Sequence, residues 1–173
     1  AGFYYKTFMW PKSFWYKIYE PFIRRAAGLG TASIKHDKER YEHKYEYCDV
    51  LITGSGPSGL ASAYSAAKNG AKVILAEDKS RFGGTLLTSE VNIGNQSGKE
   101  WADSIISELK EMPNVTVKNR SQVFGYYDHN MLVMSERISD HLPKTKKYHP
   151  KQRLWYIRAV SYTHLRAHET AQY

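Results

Sequence analysis

The sequence predicts an α/β fold whose centre is a parallel βαβ unit, and three observations lead to that prediction. An apolar run at 50–53 enters a glycine-rich turn at 54–59. An alanine-rich stretch follows and stops at Asn69-Gly70, and a second apolar run at 72–76 closes the unit. Strand, turn, helix and strand in this order give two parallel strands joined by a right-handed crossover.

The chain before this unit falls into two segments. Residues 1–32 are crowded with aromatic side chains. Within them Pro11 and Pro21 predict the starts of two short helices, the second ending near 28–30, because proline suits a first helical turn and glycine a C-cap. Neither helix could bury its rings alone, so we expect this arm to pack on a larger protein. Residues 33–46 are polar and of mixed charge, which predicts a linker.

The turn itself has the spacing Gly54-x-Gly56-x-x-Gly59, which binds the pyrophosphate of a dinucleotide when a strand precedes it and a helix follows. Gly54 allows the tight turn, Gly56 lets the backbone approach the phosphates, and Gly59 permits close packing of helix on strand. Ala63 falls on the helix face that meets the sheet, and Gly70 falls where the helix should end. The helix N-terminus then faces the phosphates.

Glu77 ends the second apolar run, 23 residues after Gly54. A carboxylate there hydrogen-bonds ribose hydroxyls and repels a 2′-phosphate, so NAD or FAD is favoured over NADP. Lys79 and Arg81 lie nearby and weaken that exclusion. Spacing alone leaves NAD and FAD open. The cofactor-binding residues predicted from this stretch are Gly54, Gly56, Pro57, Ser58, Gly59, Glu77, Asp78, Lys79 and Gly84.

After the βαβ unit the pattern predicts one more helix and then short strands. Apolar residues near helical spacing indicate a helix over 99–112, which Pro113 stops. Turn residues separate four apolar runs, at 115–117, 122–127, 131–134 and 154–157. The fold class is therefore an incomplete, Rossmann-like dinucleotide-binding domain at 47–159, of the FAD/NAD(P)-binding type, preceded by an aromatic-rich helical arm.

Composition narrows the function classes. The chain has 173 residues, a formal net charge of +8 and 42% hydrophobic residues. Its basic residues form no stripe interleaved with aromatics, so we expect no nucleic-acid partner. No apolar run is long enough to cross a bilayer and no signal peptide is recognisable, so we expect a cytoplasmic protein without a membrane partner. Cys48 is the only cysteine, which excludes an intrachain disulfide and a paired-cysteine redox centre.

No catalytic constellation is recognisable, and we assign no catalytic residue and no metal ligand. Asp128 and His129 precede Asn130, so they are interpreted as hairpin-turn residues rather than an acid/base pair. His36 and His43 lie among charges without a partner at ligand spacing, and solvated surface is their expected role. Any redox chemistry therefore needs a bound cofactor.

Several stretches outside the glycine turn resemble the alpha subunit of heterotetrameric sarcosine oxidase. They are AGFYYKTFMWP at 1–11, YEP at 19–21 and RAAGLG at 25–30, followed by the turn at 54–59. The resemblance runs from residue 1 to about 159. Members of that family are far longer, so the chain is expected to be an internal piece of such a subunit.

The resemblance implies an oxidoreductase that oxidatively demethylates sarcosine to glycine with flavins and oxygen and passes the one-carbon unit to tetrahydrofolate. It implies NAD in the glycine-turn domain and FMN at a subunit interface. A beta subunit would carry the FAD that oxidises the amine, smaller subunits would complete the hetero-oligomer, and a C-terminal domain absent here would bind the folate. Val123 resembles the strand residue that contacts adenine. This fragment alone is then expected to be inactive.

The last residues depart from that family. VSYTHLRAHET at 160–170 resembles the translation of a common sequencing adapter, so we expect 160–173 to be an artefactual tail and assign no function to His164 or His168. Two alternatives remain open for the whole chain. One is an FAD-dependent amino-acid or opine dehydrogenase subunit, and the other is a non-catalytic assembly module whose nucleotide turn is empty.

Overall fold

The computed structural model describes residues 10–30, 33–143 and 149–164. The chain divides into two compact units, one ending at Lys38 and the other beginning at Glu39. The first unit contains the aromatic arm, and the second contains the predicted βαβ unit. Each unit is described by itself.

The first unit is one continuous helical run rather than the two separate helices predicted. It passes from a 3-10 helix at Lys12–Phe14 through a π-helix at Trp15–Tyr19 into α1 at Glu20–Ala26. Pro21 lies in the first turn of α1, where a missing N–H is tolerated, so the chain continues without a break. Glu20 and Arg24 form an ion pair one turn apart on α1. Several rings of this unit are exposed within it, among them Trp10, Tyr16 and Phe22.

The second unit is an α/β structure, as predicted. Its strands are β1 (Tyr41–Thr53), β2 (Val73–Ala76), β3 (Asn92–Ile93), β4 (Gln96–Ser97), β5 (Val115–Lys118), β6 (Ser121–Tyr127), β7 (Met131–Arg137) and β8 (Gln152–His164). Its helices are α2 (Pro57–Lys68), a 3-10 turn at Gly84–Leu87 and α3 (Gly98–Glu111). Six strands form one sheet in the order β5-β2-β1-β8-β7-β6, while β3 and β4 form a small hairpin.

The predicted βαβ unit is confirmed. β1 and β2 are parallel and in register from Val50 opposite Val73 to Thr53 opposite Ala76. β5 extends the parallel part on the far side of β2, and β8 pairs in parallel with the other side of β1. β7 and β6 then add antiparallel strands. The glycine turn therefore leaves the carboxyl end of a central strand, where α/β sheets bind their ligands.

The sheet curls back on itself because of a short connection. β5 and β6 lie at opposite ends of the strand order, yet only Asn119 and Arg120 join them. The start of β6 consequently returns to the end of β2, where Ser121 N–H donates to the carbonyl of Glu77 at 2.8 Å. The positive φ of Arg120, 51°, belongs to this tight connection. The curl brings residues of β6 beside the glycine turn.

Two cores lie on the two faces of the sheet. Ile52, Val73 and Leu75 face α2 and α3, and the other face encloses a second core that includes Cys48 and Met134. Cys48 and Ile52 are four residues apart on β1 and yet lie in different cores, so the strict alternation of the strand is interrupted between them. At that point the N–H groups of Asp49 and Val50 both donate to the carbonyl of Lys72, at 2.9 and 3.2 Å. Burial raises the pKa of the Cys48 thiol to about 12.

The two helices of the second unit begin and end for local reasons. Gly70 follows α2 with φ +84°, the left-handed conformation expected where that helix ends, and Ala63 is buried against the sheet. α3 begins with a capping box. Ser97 Oγ accepts from the N–H of Glu100, and the Glu100 carboxylate accepts from Ser97 N–H at 3.0 Å.

Strand boundaries differ from the prediction at both ends of the domain. β1 begins at Tyr41, inside the predicted linker, because β8 supplies a partner and ion pairs engage the charges that suggested a linker, as Arg153 engages Glu42. β8 continues to His164, into the predicted tail, because parallel pairing uses main-chain groups and accepts many side chains. Residues 165–173, including His168, lie outside the described residues.

Candidate cofactor site

A cavity of about 540 Å³ opens at the carboxyl ends of β1 and β2, a size typical of small-molecule sites. All ten residues predicted from the sequence line it: Gly54, Gly56, Pro57, Ser58, Gly59, Glu77, Asp78, Lys79, Gly84 and Val123. The prediction missed six further lining residues: Thr53, Ser55, Ala76, Thr85, Ser121 and Gln122. Ser121 and Gln122 arrive with β6, so only the curl of the sheet could have identified them.

The three glycines of the turn differ in what a side chain at each position would meet. Gly54 has φ +97°, a conformation that side chains rarely adopt. A Cβ on Gly59 would meet the carbonyl of Gly54, so the start of α2 packs against the end of β1 only with glycine. Gly56 has an ordinary φ of −68°, and a Cβ there would meet nothing within 4 Å. Gly56 is therefore required neither by its backbone conformation nor by packing, and the space beside it is open to a ligand.

The start of α2 presents free donors to the cavity. Its N-cap is Gly56, which has no side chain to cap the helix, and its first residue, Pro57, has no N–H. The N–H groups of Ser58 and Gly59 lie in the first turn, where no intrahelical acceptor is available. They carry the positive end of the helix dipole. This arrangement is suited to an anion such as a pyrophosphate.

Glu77 is buried, with 7% of its surface exposed. Its Oε2 accepts two hydrogen bonds from Ser55, one from the N–H at 2.8 Å and one from the hydroxyl at 2.5 Å. Its Oε1 accepts one from the N–H of Lys79 at 3.0 Å. No Lys, Arg or His side chain forms an ion pair with Glu77 anywhere in the described part of the chain. The carboxyl group is thus held at the cavity wall by neutral donors, without a partner cation among the described residues.

The Gly83-Gly84 pair supports the turn from the other side of the cavity. Gly83 N–H is shared between the carbonyl and the hydroxyl of Ser55, at 3.0 and 3.1 Å. Gly84 lies directly against Gly56, because a Cβ on Gly84 would be 2.9 Å from the Gly56 Cα. Both glycines have positive φ, 118° and 53°. This pair, of which the sequence predicted Gly84 as a cofactor-binding residue, therefore holds the phosphate turn in place.

Two cations flank the strand end after Glu77. Lys79 is exposed and pairs weakly with Asp78 at 3.6 Å. Arg137 of β7 donates through Nη2 to the carbonyl of Asp78 at 2.5 Å. The sequence predicted that Lys79 weakens the exclusion of a 2′-phosphate by Glu77. The curl of the sheet places a second cation, Arg137, at the same strand end.

Other candidate residues lie apart from the cavity. Asp128, His129 and Asn130 form the turn between β6 and β7, and the last two have φ of 62° and 53°, as the hairpin interpretation expects. His43 is exposed and stacks on Tyr156. Within residues 10–30, 33–143 and 149–164, no group of three or more His, Cys, Asp or Glu side chains is placed to hold a metal ion. In the same ranges no helix is both long and apolar enough to cross a membrane.

Comparison with protein families supports the fold and the cofactor class. A family described as FAD dependent oxidoreductase matches residues 49–131, which include the turn, Glu77 and the start of β7. Among solved structures, L-proline dehydrogenase from P. horikoshii superposes with a TM-score of 0.51 over 74% of this chain and 24% of that chain. The two sequences are 17% identical, so this likeness concerns the fold alone.

Curated relatives cover more of the chain. Sarcosine oxidase subunit alpha of Rhizobium meliloti (strain 1021) is 46% identical over 157 residues, which are 91% of this chain and 16% of that protein. The subunit of the same name from Corynebacterium sp. (strain U-96) is 35% identical over 135 residues, 77% of this chain and 14% of that protein. The resemblance stated from the sequence is confirmed, and the chain spans about one sixth of the length of these relatives.

Proposed function

We propose that this chain is the dinucleotide-binding segment of an alpha subunit of the sarcosine oxidase type, and that its cavity holds NAD. One observation carries the proposal. Open space beside Gly56, an uncapped helix start and an unneutralised Glu77 line the same cavity. These are the three features that recognition of a pyrophosphate joined to a ribose requires.

Different residues of the cavity would bind different parts of the dinucleotide. The N–H groups of Ser58 and Gly59 are suited to the pyrophosphate, and Glu77 Oε1, which has accepting capacity left, is suited to a ribose hydroxyl. Val123 supplies an apolar wall for the adenine. When bound, NAD would supply a nicotinamide that accepts or donates a hydride, while these residues only hold and orient it.

FAD is the second candidate, and the match of residues 49–131 to FAD dependent oxidoreductases favours it. NAD and FAD share the adenosine diphosphate half, which is the half that the turn, Glu77 and Val123 would contact. The cavity residues therefore fit both, and a binding experiment has to decide between them.

The rest of the activity lies beyond this chain. We propose that the complete assembly oxidatively demethylates sarcosine to glycine with flavins and oxygen, and passes the one-carbon unit to tetrahydrofolate. A flavin-bearing beta subunit and smaller subunits would be its partners, with FMN at a subunit interface. This segment then holds a cofactor, and by itself it does not oxidise sarcosine.

Binding of NAD and of FAD to the intact chain tests the proposal, with Gly56→Val as the variant. A valine side chain would fill the space that the phosphates need, so affinity is expected to fall by about 100-fold or more. Gly30→Val is the matched control, because its Cβ also meets nothing within 4 Å and the residue does not line the cavity. Equilibrium dialysis gives the affinities, and circular dichroism checks that both variants fold.

The outcomes separate the candidates. Tight binding of NAD that is lost in Gly56→Val and kept in Gly30→Val supports the proposal. Retention of FAD without affinity for NAD selects the second candidate. If wild type binds neither dinucleotide, the turn is empty and the chain is an assembly module.

A further inference from the structure

We propose that Ser55 is a positioning residue, whose hydroxyl fixes the carboxylate of Glu77 so that one oxygen, Oε1, is kept for the ribose. This inference rests on the proposed function, because it concerns how the same site recognises a nucleotide. Ser55 occupies the first variable position of the glycine turn, a place to which the sequence assigned no role.

Ser55 is completely buried, and its polar groups are used on three sides. The hydroxyl donates to Glu77 Oε2 at 2.5 Å and accepts from Gly83 N–H at 3.1 Å. Its N–H donates to the same Oε2 at 2.8 Å. The hydroxyl therefore links the glycine turn, the end of β2 and the glycine pair, three segments that meet only in the folded chain.

The hydrogen bonds from Ser55 and Lys79 use the acceptor sites of the Glu77 carboxylate unequally. A carboxylate has about four lone-pair sites, two on each oxygen. Ser55 occupies both on Oε2, and Lys79 N–H occupies one on Oε1. One site remains, on Oε1, and it belongs to a side chain that lines the cavity. A ribose hydroxyl that donates to this site meets a charged acceptor already held in place, so little rotamer entropy is lost on binding.

Removing the hydroxyl should have a selective effect. In Ser55→Ala the N–H bond to Glu77 and the bond from Gly83 N–H to the backbone carbonyl of residue 55 remain. The second bond to Oε2 and the bond from Gly83 N–H to the hydroxyl are lost. The carboxylate then has a vacant acceptor on each oxygen and more rotational freedom, so the ribose is held less well. The phosphate contacts come from the start of α2 and do not depend on Glu77.

The experiment pairs a change in the protein with a change in the ligand. ADP and 2′,3′-dideoxy-ADP are titrated into the intact chain by calorimetry, for wild type, Ser55→Ala and Ser65→Ala. Ser65 is an exposed serine on α2 away from the cavity, and its replacement is the matched control. We expect Ser55→Ala to lower the affinity for ADP by about 5- to 10-fold and the affinity for the dideoxy analogue by less than about 2-fold. Ser65→Ala should leave both affinities unchanged.

A second measurement uses Glu77→Gln as a background. If Ser55 acts through the carboxylate, Ser55→Ala costs much less ADP affinity in that background than in wild type. Equal losses for ADP and its dideoxy analogue would show that Ser55 only supports the loop, and would overturn the inference while leaving the proposed function intact. No loss for either ligand would also overturn it. Failure of wild type to bind ADP contradicts the proposed function, and the inference with it.

Discussion

Two glutamates of the same sheet are held in opposite ways. Glu77, after β2, accepts only from two backbone N–H groups and a hydroxyl, and no cation pairs with it in the described residues. Glu136, on β7, accepts from Lys118 Nζ at 3.2 Å, from Arg153 Nη1 at 3.2 Å and from Trp155 Nε1 at 2.7 Å. Both side chains are largely buried. Only Glu77 lines the cavity.

The difference indicates what each carboxylate is for. Around Glu136 two cations neutralise the charge, and Lys118 and Arg153 also lie over the ring of Trp155. These partners come from β5 and β8, so the cluster joins β7, which carries Glu136, to its neighbour β8 and to β5, which the curl of the sheet brings near. Around Glu77 the donors are neutral, so no cation among the described residues competes with a ligand for the carboxyl group. A buried carboxylate with matched cations is structural, and one with only neutral donors is suited to binding.

The largest expected effect is on stability, from Glu136→Gln. The amide keeps the shape but removes the charge that Lys118 and Arg153 share. Lys118 is then partly buried without its ion-pair partner, and Arg153 retains only Glu42. Unfolding free energy should fall by about 3 kcal/mol, as when one partner of a buried ion pair is removed. Urea unfolding measures this loss.

The single cysteine offers an independent readout of the same loss. Burial and a pKa raised to about 12 keep the Cys48 thiol protonated and unreactive near neutral pH while the chain is folded. Thiol labelling at pH 8 should therefore be much faster in Glu136→Gln than in wild type. Glu90→Gln, an exposed glutamate in a loop, is the control. Unchanged labelling and an unchanged urea midpoint in Glu136→Gln would contradict the structural role of this cluster.

The second prediction is an intermediate effect on binding, from Glu77→Gln. Replacing the carboxylate should lower the affinity for the cofactor by about 10-fold, since a charged acceptor of a ribose hydroxyl becomes a neutral one. It should also reduce the preference for NAD over NADP, because Lys79 and Arg137 then flank the ribose position without the opposing carboxylate of Glu77. Dissociation constants for both nucleotides measure this. A preference that stays the same would show that Glu77 does not discriminate between them.

The smallest expected effect on stability concerns a surface ion pair. Glu46 pairs with Lys72 at 2.9 Å, and both side chains are more than one third exposed. The hydrogen bond from Lys72 holds the pKa of Glu46 below its usual value. A lowered pKa in the folded state stabilises the fold above the ordinary glutamate pKa, and that gain disappears as the pH falls through the lowered value.

Replacing Lys72 with Met tests this surface pair. Because solvent screens the ion pair, the free energy of unfolding of the variant should be lower than that of wild type by only about 0.5 kcal/mol at pH 7 and low salt. The difference should be smaller in 0.5 M salt. As the pH falls through the lowered pKa of Glu46, wild type and variant should converge. Urea unfolding across pH measures the difference, and a gap that widens on acidification would show that the ion pair is not its source.

The two buried glutamates also differ in how far the sequence could identify them. Glu77 was predicted because it follows a local pattern, a strand end at a set distance from the turn. Glu136 was not, because its partners are scattered from 118 to 155 and no spacing rule connects them. The start of β1 at Tyr41 was missed for a similar reason. Charges that suggested a linker are engaged by Arg153 and Lys72, which only the fold brings near.

The sequence by itself determined the βαβ unit, the glycine turn and the acidic strand end, since these depend on backbone conformation and short-range packing. The φ of Gly54 and the contact between Gly59 and the Gly54 carbonyl follow from neighbours in the chain. Tertiary structure decided the rest. The wall of the cavity around Val123, the bonds of Ser55 and the cluster at Glu136 arise because the sheet curls. That curl arises because the strand order places β5 and β6 at opposite ends while only two residues connect them, and local patterns do not specify the strand order.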